Sequence, residues 1–241
     1  MRRHLATLLL ALAGGAAHGA SDVPDDVVAP TFARPAPGAL ILLLVEKADS
    51  APLDRAGTML EAQLKRQLAA AGYRTAIIDA ADYQAVEDSE AAALGEHPTG
   101  KLIPASASAK ARALARLAQI AHTESHCDML IRARIVMRKA HLDTQYAEWD
   151  GRRRGILFEG VPDLGPRRKL VGAGLTGSTT ALSVELVGID GSGARDFVTH
   201  GGVVVPLIWN LERHSSSVRT DLFQDDTDVA DGLQVALAPM R

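Results

Sequence analysis

The chain has a single cysteine, Cys127, in 241 residues, so no disulfide can form within it. It has only nine aromatic residues, two Trp, three Tyr and four Phe. That leaves few platforms on which bases could stack. Its longest apolar stretches are far short of the ~20 residues a membrane-spanning helix needs. Its charge is mildly acidic, −3 with neutral histidines. A chain of that sign is not built to coat nucleic acid. No complete catalytic signature is present either. There is no G-x-S-x-G elbow, no H-E-x-x-H, no EF-hand spacing and no carboxylate pair placed for acid–base work.

What is present begins with an export signal. Arg2, Arg3 and His4 are followed by a nine-residue run, Leu5 to Ala13, that only Thr7 interrupts, and then by small residues to Ala20. This is the order of a secretory signal peptide, residues 1–20, with cleavage after Gly19 or Ala20. Of 26 basic residues the segment holds two, so its removal leaves 24 against 29 acidic ones, net −5. No cysteine follows it to carry a lipid. The expectation is an exported, soluble periplasmic protein without a transmembrane span. Residues 21–38 hold four prolines and no helical or strand period, which reads as an extended leader. Residues 39–241 fit a single domain large enough to bury a core without disulfides. Cys127 is expected to be a buried, small apolar residue.

The domain opens with "ALILLLVE", Ala39 to Glu46, an apolar run suited to a strand buried on both faces. Leu53, Ala56, Leu60, Leu64 and Leu68 recur at helical spacing, and Gly72 closes that helix. "YRTAIID" then gives a second strand, so a parallel β-α-β unit is expected. Ala80 to Leu94 is expected to be helical, and Ser106 or Ser108 caps a further helix with Leu114, Leu117, Ala118 and Ala121 on one face. In "DMLIRARIVMRK" the period becomes two. Met129, Ile131, Ala133, Ile135 and Met137 form an apolar face. Arg132, Arg134 and Arg138 lie on the other, facing solvent or paired with acids on neighbouring strands.

Strands are expected over Leu142 to Trp149 and Arg154 to Glu159, about an Asp150-Gly151 turn. Further strands are expected over Ala181 to Ile189 and Arg195 to Ile208, about "DGSG", with a bulge at Gly201-Gly202. A last helix starts near Asp225 or Asp226 and buries Val229, Leu233, Ala236 and Leu237. The fold class is therefore α/β: a mixed sheet, parallel at its β-α-β start and passing into an antiparallel meander, with helices packed on it.

Several stretches carry partial site signals. "GAGLTGST", Gly172 to Thr179, has glycine spacing close to two phosphate-binding loops. Those loops work because a helix follows them, whereas "TALSVELVGI" alternates like a strand. No nucleotide or other cofactor is expected. Gly160 to Thr180 instead reads as a long connection suited to contacting a partner. "HGG", His200 to Gly202, has the look of an esterase oxyanion loop, but no placed serine accompanies it. A hydrolase would need one of His122, His126, His141 or His200 to meet a serine and an acid in the fold. His122, His126 and Cys127 are a weak alternative metal set, since two histidines four apart share a helical face. At a helix end they more simply cap carbonyls. Arg152, Arg153 and Arg154, with Arg167, Arg168 and Lys169, could form a basic patch. On an exported protein its partner would be an envelope protein or an anionic envelope surface. The oligomeric state is left open, a homo-oligomer included.

Over its first ~140 residues the chain resembles a group of bacterial envelope proteins. That group includes the curli-secretion lipoprotein, the lipoprotein activators of penicillin-binding proteins and the amino-terminal domain of TolB. The resemblance lies in "ALILLLVE", in "LEAQLKRQLAAAGYRTAIID", and in "ALARLAQIAHTESHCDMLIRARIV". It implies a scaffold, activator or secretion component with no catalytic residues. The chain departs from the lipoproteins in lacking the lipid-bearing cysteine.

Overall fold

The computed structural model describes residues 25–46, 51–95, 106–159, 175–210 and 215–241. The signal segment, most of the 95–105 connection, and Arg167, Arg168, Lys169, Gly172 and Gly174 lie outside them.

The first apolar run forms β2 (Leu40–Val45), and α1 (Ala51–Ala70) and β3 (Arg74–Ile77) follow. β3 pairs with β2 in parallel, as a β-α-β unit requires. The helix ends at Gly72, whose φ of 89° lies in the left-handed region that glycine enters freely. Two helices come next, α2 (Ala80–Ala93) and α3 (Ala107–Ser125). Asp79 caps the first, and Ser106 accepts the Ala109 N–H at the start of the second. Strand β4 (Met129–Thr144) returns parallel to β2. From there the sheet is antiparallel. β5 (Tyr146–Trp149) and β6 (Arg152–Gly155) make a hairpin, with the short β7 (Leu157–Phe158) after it. β8 (Leu175–Asp190) pairs with the whole of β4, and β9 (Arg195–Val204) pairs with β8. Helix α4 (Thr227–Ala236) and a 3-10 turn (Ala238–Met240) close the described chain.

With β1 (Val27–Val28) at one edge, the main sheet has the order β1-β9-β8-β4-β2-β3, and the β5–β6 hairpin extends from β4. One face carries α1 and α4 over Ile41, Leu43, Ile131, Val184 and Leu186, with Leu60, Leu64 and Leu233 supplied by the helices. The other carries α2 and α3 over Leu44, Leu130, Val187 and Val198. Each fully buried leucine contributes roughly 1.5–3 kcal/mol by leaving water. The α/β mixed sheet expected from the sequence is the fold observed.

Four boundaries differ from expectation, each for a physical reason. The leader is extended, but it is part of the domain. β1 (Val27–Val28) pairs antiparallel with β9, Phe32 stacks edge-on against Phe197, and the Tyr73 hydroxyl bonds to the Pro35 carbonyl. The break placed after Lys139 is absent, because the alternation runs on through His141, Leu142 and Asp143 and the chain turns at Gln145. Leu175 to Thr180, expected in a loop, forms the first six residues of β8, since β4 is long enough to offer each of them a partner. Arg195 to Ile208 is not one strand. Pro206 has no N–H for the ladder, and past it β10 (Leu207–Asn210) joins a separate sheet between β7 and β11 (Ser215–Val218).

Candidate functional site

Helices α2 and α3 cover only part of their face of the sheet. Beyond them the face is polar, and alternation in three strands builds it. β4 places Arg132, Arg134 and Arg138 there, β8 places Ser183 and Glu185, and β9 places His200. Register sets Arg134 opposite Glu185 and Glu185 opposite His200, so three charged side chains form one row across three strands.

Glu185 is the centre, with its side chain 1% exposed. Arg134 binds it in bidentate fashion, Nε to Oε1 at 2.7 Å and Nη2 to Oε2 at 3.2 Å. Arg132 adds Nη2 to Oε1 at 2.6 Å. Both guanidinium groups also lie near Glu46, at 3.6 and 3.8 Å. His200, fully buried, directs Nε2 at Glu185 Oε2 from 3.5 Å and Nδ1 at Asp26 Oδ1 from 2.7 Å. Burial alone would raise the Glu185 pKa. His200, Arg134 and Arg132 outweigh it and hold the carboxyl at about 2. Burial would lower the His200 pKa, but the carboxylates of Glu185 and Asp26 prevail and raise it. A few ångströms on, Asp150 receives Arg138 Nε at 3.1 Å and the Ser183 hydroxyl at 2.5 Å.

The cluster is not fully satisfied: among the described residues Tyr83 Oη, Arg132 Nε and His200 Nε2 are buried without a hydrogen-bond partner. A carboxyl held at about 2 cannot exchange protons with a substrate near neutral pH. His200 Nδ1 is taken by Asp26, its Nε2 lies 3.5 Å from Glu185 without a hydrogen bond, and the serine nearest in register, Ser183, is bound to Asp150. The serine–histidine–acid contact that a hydrolase requires is therefore not formed at His200. His141 is exposed on β4, opposite Ser178. His122 and His126 do not converge with Cys127. His122 Nδ1 meets the Cys127 carbonyl at 2.9 Å, while His126 adopts the left-handed cap of α3 with φ 51°. Cys127 is buried, and burial pushes its thiol pKa up. Among the described residues no three His, Cys, Asp or Glu side chains are grouped to hold a metal.

The phosphate-loop pattern lacks its helix. Gly177, Ser178 and Thr179 lie within β8, paired with Leu142, His141 and Ala140. The Gly201-Gly202 pair lies just before a register shift, where Ser183 faces Gly202 and Leu182 faces Val204. Its purpose is close approach on both faces. A Cβ on Gly202 would strike Trp149 and Arg152, and one on Gly201 would strike the backbone of Gly232.

The hairpin arginines are divided in their roles. Asp150 and Gly151 take φ of 41° and 72°, the left-handed pair that a tight hairpin turn uses. This turn carries the hairpin across β9 to α4. There Arg152 binds Asp228 at 2.9 Å and Asp231 at 3.1 Å, and Arg154 binds the same two acids. These two arginines fasten the hairpin to the helix. Arg153 is exposed, stacks 4.4 Å over the Tyr146 ring and reaches Glu148 at 3.0 Å. It lines an open groove of about 620 Å³ together with Gly151, Gln234, Val235, Ala238 and Arg241. Among the described residues the Arg241 guanidinium meets the neutral amide oxygen of Gln67, at 2.8 Å, and Val235 is 38% exposed.

Two residues that matter here carry no local signal. Asp26 sits in the leader, 174 positions from His200, and Glu185 reads as an ordinary outward residue of an alternating strand. No protein-family model, no curated protein and no solved structure matches the chain. Among the described residues no helix is long and apolar enough to cross a membrane.

Proposed function

We propose that the chain is an exported, non-enzymatic accessory protein of the bacterial envelope that works by binding another envelope protein. The observation that carries this reading is the groove between the β5–β6 hairpin and α4. It is open, so it suits a segment laid across it better than a small substrate enclosed within it. Its lining includes Arg153, Arg241 and the exposed Val235. Its one acid, Asp231, is engaged by Arg152. The partner such a surface fits is an acidic segment with an apolar side chain to cover Val235. Support also comes from the charge–apolar–small order of residues 1–20, which directs export. The resemblance to envelope activators and secretion components agrees with a binding role.

Crosslinking in intact cells tests the reading. The wild-type chain is expected to give an adduct of defined mass that the Arg153→Glu/Arg241→Glu double variant loses. Recovery of the wild type as monomer alone, or an adduct unchanged in the double variant, would overturn it. Loss of both adduct and wild-type capture when anionic lipid is depleted would assign the groove to a lipid surface instead.

A further inference from the structure

Building on the binding role proposed for the groove, we infer that the partner enters it as an added β-strand: an extended segment of alternating acidic and apolar residues pairs with the free edge of β6, beside α4.

The hairpin register leaves one edge of β6 without backbone partners. Asp150 and Gly151 are the turn, so Trp149 and Arg152 close the hairpin as a hydrogen-bonded pair, and Ala147 with Arg154 is the next such pair. The Ile156 N–H to the Gln145 carbonyl, at 2.8 Å, continues the series. Arg153 and Gly155 fall between these pairs, so their N–H and C=O groups point away from β5. Among the described residues β6 pairs with β5 alone, and these outward groups have no hydrogen-bond partner. Arg153, Arg154 and Gly155 are exposed, and nothing lies within 4 Å of the point that a Gly155 Cβ would occupy. Arg153 also lines the groove, so the open edge and the groove meet at this residue. An edge of this kind is the surface to which an extended segment adds.

The two faces of β6 set the pattern of that segment. Arg152 and Arg154 reach the acids of α4, Asp228 and Asp231, and Arg153 lies on the opposite face of the strand. A strand laid beside β6 alternates in step with it. Its residues on the α4 face meet the exposed Val235, which apolar side chains suit. Its residues on the other face meet Arg153, which acids suit. A second copy of the chain fits poorly, because β6 against β6 sets arginine beside arginine.

Hydrogen exchange reads the edge in the wild-type chain. A photo-reactive residue at Gln234, on the groove wall, supplies the complex as an adduct purified from intact cells. In the free full chain the Arg153 and Gly155 amides are expected to exchange about tenfold or more faster than those of Arg152 and Arg154, after correction for intrinsic rates. In the adduct the Arg153 and Gly155 amides are expected to slow by about tenfold or more. Equal protection of the four amides in the free chain, or unchanged rates in the adduct, would overturn strand addition. Gly155→Pro removes the outward N–H and leaves the bonds of Arg152 and Arg154 to β5 in place. It is expected to lower adduct yield about tenfold, whereas Ile77→Pro, at the β3 edge, is expected to leave it unchanged. An adduct lost in the Arg153→Glu/Arg241→Glu variant but kept in Gly155→Pro would leave the groove as the binding surface and overturn the added strand. No wild-type adduct would overturn both readings, and an adduct of twice the chain's mass would make the occupant a second copy and overturn the proposed segment. A Gly155→Pro chain that does not fold leaves the wild-type exchange comparison to decide.

Discussion

Gly201 of β9 lies flat against the carbonyl of Gly232 in α4, with no side chain between strand and helix. This contact seats the C-terminal helix, and with it one wall of the groove. A methyl group at Gly201 has only backbone to displace. Gly201→Ala is expected to cost about 3 kcal/mol through overpacking. Gly155→Ala, where nothing lies within 4 Å, should stay within about 0.5 kcal/mol. Urea midpoints of the two variants check this, and equal midpoints would contradict the packing argument.

The Glu185 carboxylate gathers two arginines and a histidine in the interior. Removing it leaves the buried His200 and two half-buried arginines without their common carboxylate, so Glu185→Ala is expected to cost about 3–5 kcal/mol. The pH dependence has a definite sign. The folded carboxyl titrates at about 2, below its ordinary value of 4.5, so its contribution is full above that ordinary value and is lost as pH falls through about 2. The shift corresponds to about 3 kcal/mol. Stability measured by denaturant between about pH 6 and about pH 2 should show this loss in the wild type and lack it in Glu185→Ala.

Arginines at consecutive positions of one hairpin should behave differently. Arg152 is 9% exposed and bound to Asp228 and Asp231, so Arg152→Ala is expected to destabilise by about 2 kcal/mol. Arg153 is 55% exposed, and Arg153→Ala should cost less than about 1 kcal/mol. Thermal denaturation separates the two. Equal losses would mean that Arg153 is structural and not available to a partner.

Cys127 is 2% exposed, with its Sγ directed at the Met129 carbonyl 3.0 Å away. Burial raises its pKa, which keeps it a thiol. A thiol reagent at neutral pH is expected to leave the native chain unmodified and to label it fully in denaturant. Rapid labelling of the native chain would contradict this burial.

Local signals carried much of the fold. The run at Ala39 to Glu46, the leucine spacing of α1, the cap at Gly72, the Ser106 cap and the turns at Asp150-Gly151 and Asp190 to Gly193 each act within a few residues, so each could be read directly. The Arg132, Arg134 and Arg138 face was legible as a face. Its acids were not, because Glu185 and Glu46 become neighbours only once β2, β4 and β8 are aligned. β1 was invisible for a similar reason: two valines among prolines carry no period, and only β9 makes them a strand. The groove is likewise a product of tertiary structure, since Arg153 and Arg241 are brought together by a hairpin that wraps over β9. Gly201-Gly202 was the most informative short signal. It marked a site of close backbone approach, although the sequence could not name Gly232 as the neighbour.

The most direct test of the binding account places a photo-reactive residue in the groove and reads its adducts in intact cells. Substitution at Gln234, exposed on the groove wall, is expected to give one specific protein adduct, and substitution at Gln84, exposed on α2, is expected to give none. That adduct should disappear when Arg153 and Arg241 are reversed in charge. Identical adducts from both positions, or none from Gln234, would contradict the account.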